Sequence, residues 1–322
     1  MAKETPVDPD LAALLPEDLR ARLASLTTRG DTATVVVEAA GLAMRDRAAL
    51  EEAARAAVLA SPRIERVQVA LMGEATATRT IAIGSGKGGV GKSTLTANLA
   101  VALARAGRRV GVIDADIYGP SQAKLLGVEG RKAEAEDKRL IPLDSPHGVR
   151  VLSMANLVEP GRAIAWRGPM AAGALGQLVE AHWDAEELLL IDLPPGTGDV
   201  QLTMLQRHKP DGAVIVSTPQ DLALIDAMRA GQLLDQGEVP VLGLVENMAG
   251  YICPHCGELS DPFGAGAVEA AAARLDLPFL GRVPLTVALR EASDRGQVLD
   301  RTPEASAFAA IAHAMIAGLE RP

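Results

Sequence analysis

Residues 86–93 read Gly86-Lys87-Gly88-Gly89-Val90-Gly91-Lys92-Ser93, and Thr94 follows them. Their outer frame, Gly-x-x-x-x-Gly-Lys-Ser, is the pattern of a phosphate-binding loop, in which glycines let backbone N–H groups close around phosphate oxygens. We expect Lys92 to reach the β- and γ-phosphates of a nucleotide and the Ser93 hydroxyl to ligate Mg²⁺. The pattern does not require a lysine at position 87, so Lys87 is an additional feature that needs its own explanation.

The sequence around this loop has the order that a phosphate site needs. Residues 80–83 are a short β-branched run, and residues 92–106 carry Leu95, Leu99 and Leu103 at helical spacing before a glycine. A strand, a glycine loop and a helix N-terminus in that order make an anion site. We therefore interpret the segment as a nucleotide-binding loop and not as a chance glycine-rich turn.

The composition is that of an aliphatic and acidic protein. Hydrophobic residues make up 48% of the 322 residues and aromatic residues only 2%, which suits parallel sheets covered by helices. The net charge of −9 argues against a broad DNA-binding face, so we expect no nucleic-acid partner. No apolar run is long enough for a membrane span, and the first residues lack the apolar core of a signal peptide. We expect no membrane partner and a cytoplasmic location.

The sequence pattern divides the chain into two domains. Residues 1–75 predict a small α+β domain with a helical segment at 11–25, a strand at 32–38, a helix at 47–59 and a strand at 63–71. This domain contains no cysteine or histidine, so we assign it no chemistry. Residues 73–79 are small and polar and are interpreted as a linker to the second domain, residues 76–322.

In the second domain, strands alternate with helices, and several strands are continuous apolar runs. The predicted strands are residues 80–83, 110–113, 149–153, 188–192, 213–217, 241–245 and 279–283. Helices are predicted at 220–234 and 303–319, and the charged stretch 130–148 is expected to be an irregular surface excursion. This alternation predicts an α/β fold with a doubly wound, mostly parallel sheet.

Acidic residues follow three of the buried strands at their carboxyl ends, where open α/β sheets bind ligands. They are Asp114 and Asp116, then Asp192, then Glu246. A buried acid is costly unless it meets a cation or a donor, and beside a phosphate loop Mg²⁺ is that cation. We expect Asp192 to face Mg²⁺ through a water, Asp116 to orient the attacking water and Asp114 to support the metal side. Gly196 would let a backbone N–H approach the γ-phosphate. Taken singly, each aspartate is equally consistent with a strand-end cap.

The sequence Cys253-Pro254-His255-Cys256-Gly257 is a second candidate centre. A closed tetrathiolate site needs four sulfurs, and the chain has two cysteines. Either another ligand type completes the site, or each subunit of a symmetric dimer contributes one pair. His255 is an awkward ligand because it lies between the cysteines. A redox pair is disfavoured because no helix clearly begins at Cys253. The residues alone do not distinguish zinc from an iron–sulfur cluster.

Together these motifs make the chain resemble the Mrp (ApbC-like) family of iron–sulfur cluster carrier ATPases. This family is a branch of the deviant-Walker P-loop proteins that includes MinD, ParA and the nitrogenase iron protein. The matching segments, in family order, are residues 84–94, 114–121, 166–169, 192–199, 218–221, 246–248 and 253–257. The resemblance implies a P-loop NTPase that binds ATP with Mg²⁺.

The resemblance also implies residue roles. Lys87 would reach across a homodimer to the nucleotide of the partner, Asp116 would act in hydrolysis and Asp192 would hold the magnesium side. Asn247 would contact the adenine base. The paired cysteines, Cys253 and Cys256, would bridge a [4Fe-4S] cluster between two subunits.

The resemblance is weaker at the N-terminus. Residues 32–71 are similar to the second half of a small domain of iron–sulfur assembly proteins, but the opening of that domain is not clearly present. The role of that domain does not carry over here.

We therefore expect a slow, homodimeric ATPase that passes a [4Fe-4S] cluster from scaffold proteins to apo-proteins. The alternatives are a positioning ATPase of the MinD or ParA kind, a cluster-containing reductase and an ATPase dimer stapled by zinc. A positioning ATPase does not explain the cysteines, and its membrane-binding form lacks support because residues 305–319 have no basic face. The nitrogenase iron protein, the model for a reductase, has widely separated cysteines.

Overall fold

The computed structural model of the chain describes residues 7–40, 42, 44–73, 77–157, 168–196 and 198–321. Its internal contacts divide the chain into two compact units, Met1–Thr78 and Arg79–Pro322. Several residues of the predicted motifs lie outside the described ones, namely linker residues 74–76, Trp166, Arg167 and Thr197.

The first unit is built on a three-stranded sheet with the order β1-β2-β3. Its described elements are α1 (Pro9–Ala12), α2 (Glu17–Ala21), β1 (Leu23–Arg29), β2 (Thr32–Glu38), α3 (Met44–Leu59) and β3 (Arg66–Met72). β1 and β2 are antiparallel, and β2 and β3 are parallel. Leu26, Val35 and Val58 are buried together, so the unit has a hydrophobic core of its own.

The predicted helix at 11–25 is confirmed only in part: residues 13–16 interrupt it, and residues 23–25 belong to β1. Pro16 separates α1 from α2, because proline cannot donate a helical hydrogen bond and disfavours helix in the residue before it. From Leu23 onward the chain pairs with β2 through a tight hairpin in which Gly30 has φ 65°. The predicted elements at 32–38, 47–59 and 63–71 are confirmed as β2, α3 and β3, with shifted ends for the last two.

The second unit alternates strands and helices as expected. Its described strands and helices are β4 (Arg79–Ser85), α4 (Lys92–Arg105), β5 (Val110–Asp114), α5 (Gln122–Leu125), β6 (Ala135–Glu136), β7 (Arg139–Leu140), β8 (Leu143–Asp144), β9 (Arg150–Ser153), α6 (Gly168–Val179), β10 (Leu188–Asp192), α7 (Asp199–Arg207), β11 (Gly212–Ser217), α8 (Asp221–Gln236), β12 (Val241–Ile252), β13 (Leu259–Ser260), α9 (Ala267–Arg274), β14 (Phe279–Leu285), α10 (Val287–Asp294) and α11 (Pro303–Leu319). A short 3₁₀ turn, Met154–Leu157, follows β9.

Over the described residues, the main sheet has nine strands with the order β13-β12-β11-β4-β10-β5-β9-β8, and β14 also pairs with β12. All its pairings are parallel except those of β8 and β13. Ile81 and Ile83 of β4 face the core that α4 and α11 cover, whereas Ala82 faces the core under α6, α7, α8 and α9. The predicted doubly wound, mostly parallel fold is confirmed.

Two predicted segments differ from the structure, and the first difference affects the site. The strand predicted at 241–245 continues to Ile252, so Glu246 and Asn247 lie inside β12 and not beyond its end. The stretch 130–148, expected to be irregular, contains a small β6–β7 hairpin and β8, whose buried Leu143 pairs with Val151 at the sheet edge. Burial of Leu143 favours β8, and the backbone N–H of His182 donates to the oxygen of Leu140 in β7 at 2.9 Å.

β4, β10 and β5 are neighbours in the centre of the sheet, so their carboxyl ends meet at one edge. Asp192 at the end of β10 is in register with Asp114 at the end of β5. The phosphate loop leaves β4 at the same edge. No helix in the described part of the chain is both long and apolar enough to cross a membrane.

Candidate functional site

The glycine loop fits tightly against the protein around it. A Cβ atom on Gly86 would lie 1.9 Å from the backbone carbon of Asp226 in α8, and one on Gly91 would lie 2.1 Å from Nδ2 of Asn247. Gly89 and Gly91 have φ of 81° and 80°, which glycine adopts readily. Sequence reasoning assigned these glycines to phosphate contact. The structure adds that Gly86 and Gly91 are also required by their protein neighbours.

Lys92 is buried and paired with the strand-end acid beside the loop. Its Nζ forms a short ion pair with Oδ1 of Asp192, and it lies 3.4 Å from the Ser93 hydroxyl. The Lys92 and Asp192 side chains are 6% and 0% exposed, so water contributes little to either charge. In this state, Lys92 neutralises Asp192, so a phosphate that enters the loop competes with this carboxylate for the ammonium.

The other oxygen of Asp192 is held by a residue that sequence reasoning missed. Nε2 of Gln122 donates to Oδ2 of Asp192 at 2.8 Å and to the backbone oxygen of Ser93 at 2.9 Å. The Gln122 side chain is completely buried at the start of α5. No sequence signal marks it, because glutamine is common on exposed helical surfaces and only the fold brings α5 under the loop.

Asp114 anchors the segment that leads to Gln122. Its Oδ2 accepts hydrogen bonds from the backbone N–H groups of Ser121 at 2.8 Å and Gln122 at 2.9 Å, and from Oγ of Ser153 at 2.8 Å. Burial, together with the nearby charge of Asp192, raises the pKa of Asp114 to about 7. The expected support for the metal side is therefore indirect in this structure: Asp114 holds the chain that carries Gln122.

The raised pKa of Asp114 predicts a specific pH dependence of stability. The folded protein keeps this proton up to about pH 7, whereas the unfolded chain releases it near the ordinary value of 3.8. Between those pH values the folded state binds more protons, so the Asp114 contribution to stability falls as pH rises, by up to about 1.4 kcal/mol per pH unit.

Urea unfolding of the wild type and of Asp114→Asn between pH 4 and 7 measures this effect. We expect the stability advantage of the wild type over the variant to shrink as pH rises, because asparagine does not titrate. The comparison cancels other titrating groups such as Glu186, whose pKa burial also raises. A constant or growing advantage contradicts the prediction.

Asp116 lies in the turn that follows β5. Its Oδ1 accepts hydrogen bonds from the backbone N–H groups of Tyr118 and Gly119, both at 3.1 Å, and the residue is 8% exposed. These bonds fix the carboxylate at the carboxyl edge of the sheet. Its expected role towards an attacking water stays a prediction.

The loop after Asp192 forms hydrogen bonds to other parts of the protein. Gly196 has φ 90°, and its backbone N–H donates to the oxygen of Ser85 at 3.0 Å. The N–H that was expected to approach a γ-phosphate is therefore engaged with the residue before the phosphate loop. Nε2 of Gln201 in α7 donates to the oxygen of Pro194 at 2.5 Å and holds the other end of this loop.

Two adjacent polar residues of β12, Glu246 and Asn247, have different partners. Glu246 accepts from the N–H groups of Gly266 and Val268 at 3.0 Å and pairs with Arg282 at 2.9 Å. The buried acid does meet donors and a cation, as expected, but the cation is Arg282, so Glu246 is no magnesium-side group. Asn247 donates from Nδ2 to the oxygen of Val90 in the phosphate loop at 2.8 Å.

The two cysteines lie in a tight turn between β12 and β13. The N–H of Cys253 donates to the oxygen of Glu258 at 3.0 Å, and the N–H of Gly257 donates to the oxygen of Cys253 at 2.8 Å. Both thiols are free; Cys253 is partly exposed and Cys256 is exposed. Hydrogen bonds from the backbone N–H groups of Cys256 and His255 lower the pKa of Cys253, which favours the metal-binding thiolate.

A closed metal site at the cysteine pair needs further ligands beside the two thiols. Across the described residues, no group of three or more histidine, cysteine, aspartate or glutamate side chains is placed to hold a metal ion. No helix begins at Cys253 in the structure, in keeping with the argument against a thioredoxin-like redox pair. The pair supplies two thiolates, and a tetrathiolate site needs four.

Comparison with known proteins gives concordant matches. The model of the ParA family described as NUBPL iron-transfer P-loop NTPase matches residues 76–317. An iron-sulfur cluster carrier protein of Pseudomonas fragi is 47% identical over 235 residues, which cover 72% of this chain and 82% of the relative. An iron-sulfur cluster carrier protein of Deinococcus radiodurans is 44% identical over 278 residues, which cover 83% of this chain and 79% of the relative.

A solved structure is similar as well. The nucleotide-binding protein of Archaeoglobus fulgidus in complex with ADP is 41% identical with a TM-score of 0.63. The match covers 71% of this chain and 91% of that protein.

Proposed function

The chain belongs to the ParA-type family of NUBPL iron-transfer P-loop NTPases. From that premise we propose that it is a slow, homodimeric ATPase that binds a [4Fe-4S] cluster at the interface of its two subunits. It would take the cluster from scaffold proteins and deliver it to apo-proteins in the cytoplasm. The names and identities of its relatives support the carrier role.

The nucleotide chemistry follows from the residues at the carboxyl edge of the sheet. The loop from Gly86 to Thr94 would hold the phosphates of ATP, with Lys92 on the β- and γ-phosphates. The hydroxyl of Ser93 and, through a water, the buried carboxylate of Asp192 would hold Mg²⁺, because both offer the oxygen atoms that it prefers. The ion would supply charge neutralisation when bound. Asp116 would orient the attacking water.

Three further residues would complete the nucleotide site. The N–H of Gly196 would turn from Ser85 to the γ-phosphate. Asn247 would contact the base, and its existing bond to Val90 already places it against the loop. Lys87 is partly exposed and forms no ion pair within the described residues, so its ammonium is available to the nucleotide of the partner.

The observation that carries the proposal is the course of β12, which has an irregularity between Asn247 and Tyr251. This strand runs from Val241 to Ile252, contacts the phosphate loop through Asn247 and leads directly into Cys253. One element therefore connects the nucleotide loop to the thiols, and ATP-dependent dimerisation would bring two thiol pairs together. This supports a cluster held between subunits and released or docked under control of the nucleotide.

Anaerobic reconstitution with iron and sulfide tests the proposed cluster. We expect the wild type to turn brown and to bind one [4Fe-4S] cluster per two chains, because each chain supplies two of four thiolates. Cys253→Ala and Cys256→Ala should each lose the cluster while ATP binding stays unchanged, since both cysteines lie in an exposed turn. Iron and sulfide analysis with absorbance spectra measures both. A colourless wild type with stoichiometric zinc would instead support the zinc-stapled dimer.

A further inference from the structure

We propose that Gln122 is a positioning residue of the nucleotide site: it keeps Asp192 in place while Lys92 leaves Asp192 for the nucleotide phosphate. The inference rests on nucleotide binding at the loop, which is part of the proposed function. It assigns a role to a residue that neither the loop pattern nor the strand-end acids include.

The first step is the geometry of the exchange. Asp192 has two close partners in the described structure on opposite oxygens, Lys92 on Oδ1 and Gln122 on Oδ2. Thr96 adds a weak contact to Oδ1 at 3.4 Å. When Lys92 turns to a phosphate, Oδ1 loses its cation, and Asp192 is left as a buried carboxylate whose remaining strong donor is Gln122.

The second step is the fixed position of Gln122. Its Nε2 also donates to the oxygen of Ser93, and its backbone N–H donates to Asp114. Its side chain is 0% exposed, so the amide cannot swing into solvent. Unlike the Lys92 ammonium, this amide carries no charge that an arriving phosphate would attract, so it keeps both its acceptors.

The third step is the orphaned amide oxygen of Gln122. Within the described residues, Oε1 of Gln122 is buried and accepts no hydrogen bond. The hydroxyl oxygen of the preceding residue, Ser121, is likewise buried and has no hydrogen-bond partner there. An unpaired buried acceptor costs about 1–3 kcal/mol. Rotating the amide would place oxygen against Asp192 and the Ser93 oxygen, which repel it. The orientation that leaves Oε1 unpaired is therefore favoured because it lets Nε2 form two hydrogen bonds.

These steps predict how nucleotide affinity depends on magnesium in a variant that lacks the amide. In Gln122→Leu without magnesium, nucleotide binding takes Lys92 from Asp192 and leaves its carboxylate without a strong donor. With magnesium, a metal-bound water offers a substitute. The variant should therefore bind ADP at least tenfold more weakly than wild type in EDTA, and only about threefold more weakly in saturating magnesium, where tenfold corresponds to about 1.4 kcal/mol.

Isothermal titration of ADP into the full chain in both buffers measures this, with the wild type titrated alongside. Gln122→Met is the second variant, because methionine is unbranched like glutamine and keeps the chain folded if leucine does not. The control is Ser145→Ala, which removes a buried 2.7 Å hydrogen bond to the oxygen of Leu126, just after α5 and away from the loop. It should leave ADP affinity within twofold of wild type in both buffers.

The outcomes separate the possible roles. A loss that is larger in EDTA than in magnesium supports the positioning role. An equal loss of ADP affinity in both buffers indicates a merely structural residue. A loss only in magnesium assigns Gln122 to the metal side, and unchanged affinity in both buffers shows that Gln122 has no role in binding. Each of these three results overturns the inference. A wild type that binds no ADP in either buffer contradicts the proposed function itself.

Discussion

Replacing Lys92 by alanine is expected to abolish nucleotide binding and to lower the free energy of unfolding by about 3–5 kcal/mol. The lysine does two things in the structure: it is the loop cation, and it neutralises the fully buried Asp192. Removing it leaves an uncompensated charge that already lies beside Asp114. Urea unfolding of nucleotide-free protein measures the loss of stability, and titration with ATP measures the loss of binding.

The double variant Lys92→Ala/Asp192→Asn separates these two effects. It should recover part of the stability, because no unpaired charge remains, but no nucleotide binding. Lys87→Ala is the matched lysine control; it should keep wild-type stability, since Lys87 is partly exposed. If Lys92→Ala is as stable as wild type, the buried ion pair does not support the fold.

Gly86→Ala is expected to lower the free energy of unfolding by about 3 kcal/mol and to weaken nucleotide binding strongly. The new methyl group would lie 1.9–2.3 Å from backbone atoms of Asp226 and Ala227, so either α8 or the loop has to move. Backbone cannot yield as the end of a flexible side chain can. Thermal or urea unfolding without nucleotide, followed by ADP titration, measures both effects.

Gly88→Ala provides the matched control within the same loop. Gly88 has no positive φ, and a Cβ there would have only Pro195 within 4 Å, at 3.9 Å. Its stability in the absence of nucleotide should stay within about 0.5 kcal/mol of wild type. Equal destabilisation by both alanines would show that the contact with α8 is not the cause.

Features that depend on neighbouring residues in sequence were predictable. The apolar run that ends in Asp192 predicted β10 with its correct ends, since a strand buried on both faces leaves a continuous pattern. The glycine loop predicted the junction of β4 and α4 because its chemistry is contained in eight consecutive residues. The curated relatives and the family match agree with the family that these motifs indicated.

Features that depend on distant partners were not predictable. Gln122 is part of the site only because Ser93 and Asp192, 29 and 70 residues away, meet at its amide. Glu246 looked like a ligand-side acid, and only the fold shows that Arg282 neutralises it. The first three residues of β1, 23–25, were mistaken for helix because the partner strand, and not their own composition, decides their conformation.

The pair between Lys92 and Asp192 also has a consequence for which cellular anions the loop admits. An anion that enters has to compete with a buried carboxylate for the lysine, so it must bring enough contacts of its own to compensate for breaking that pair. Free inorganic phosphate brings few contacts and no substitute partner for Asp192. A magnesium-loaded nucleotide brings many contacts and, in its metal ion, a substitute partner for Asp192. We therefore expect the resting ion pair to disfavour inorganic phosphate at the loop relative to a magnesium-loaded nucleotide.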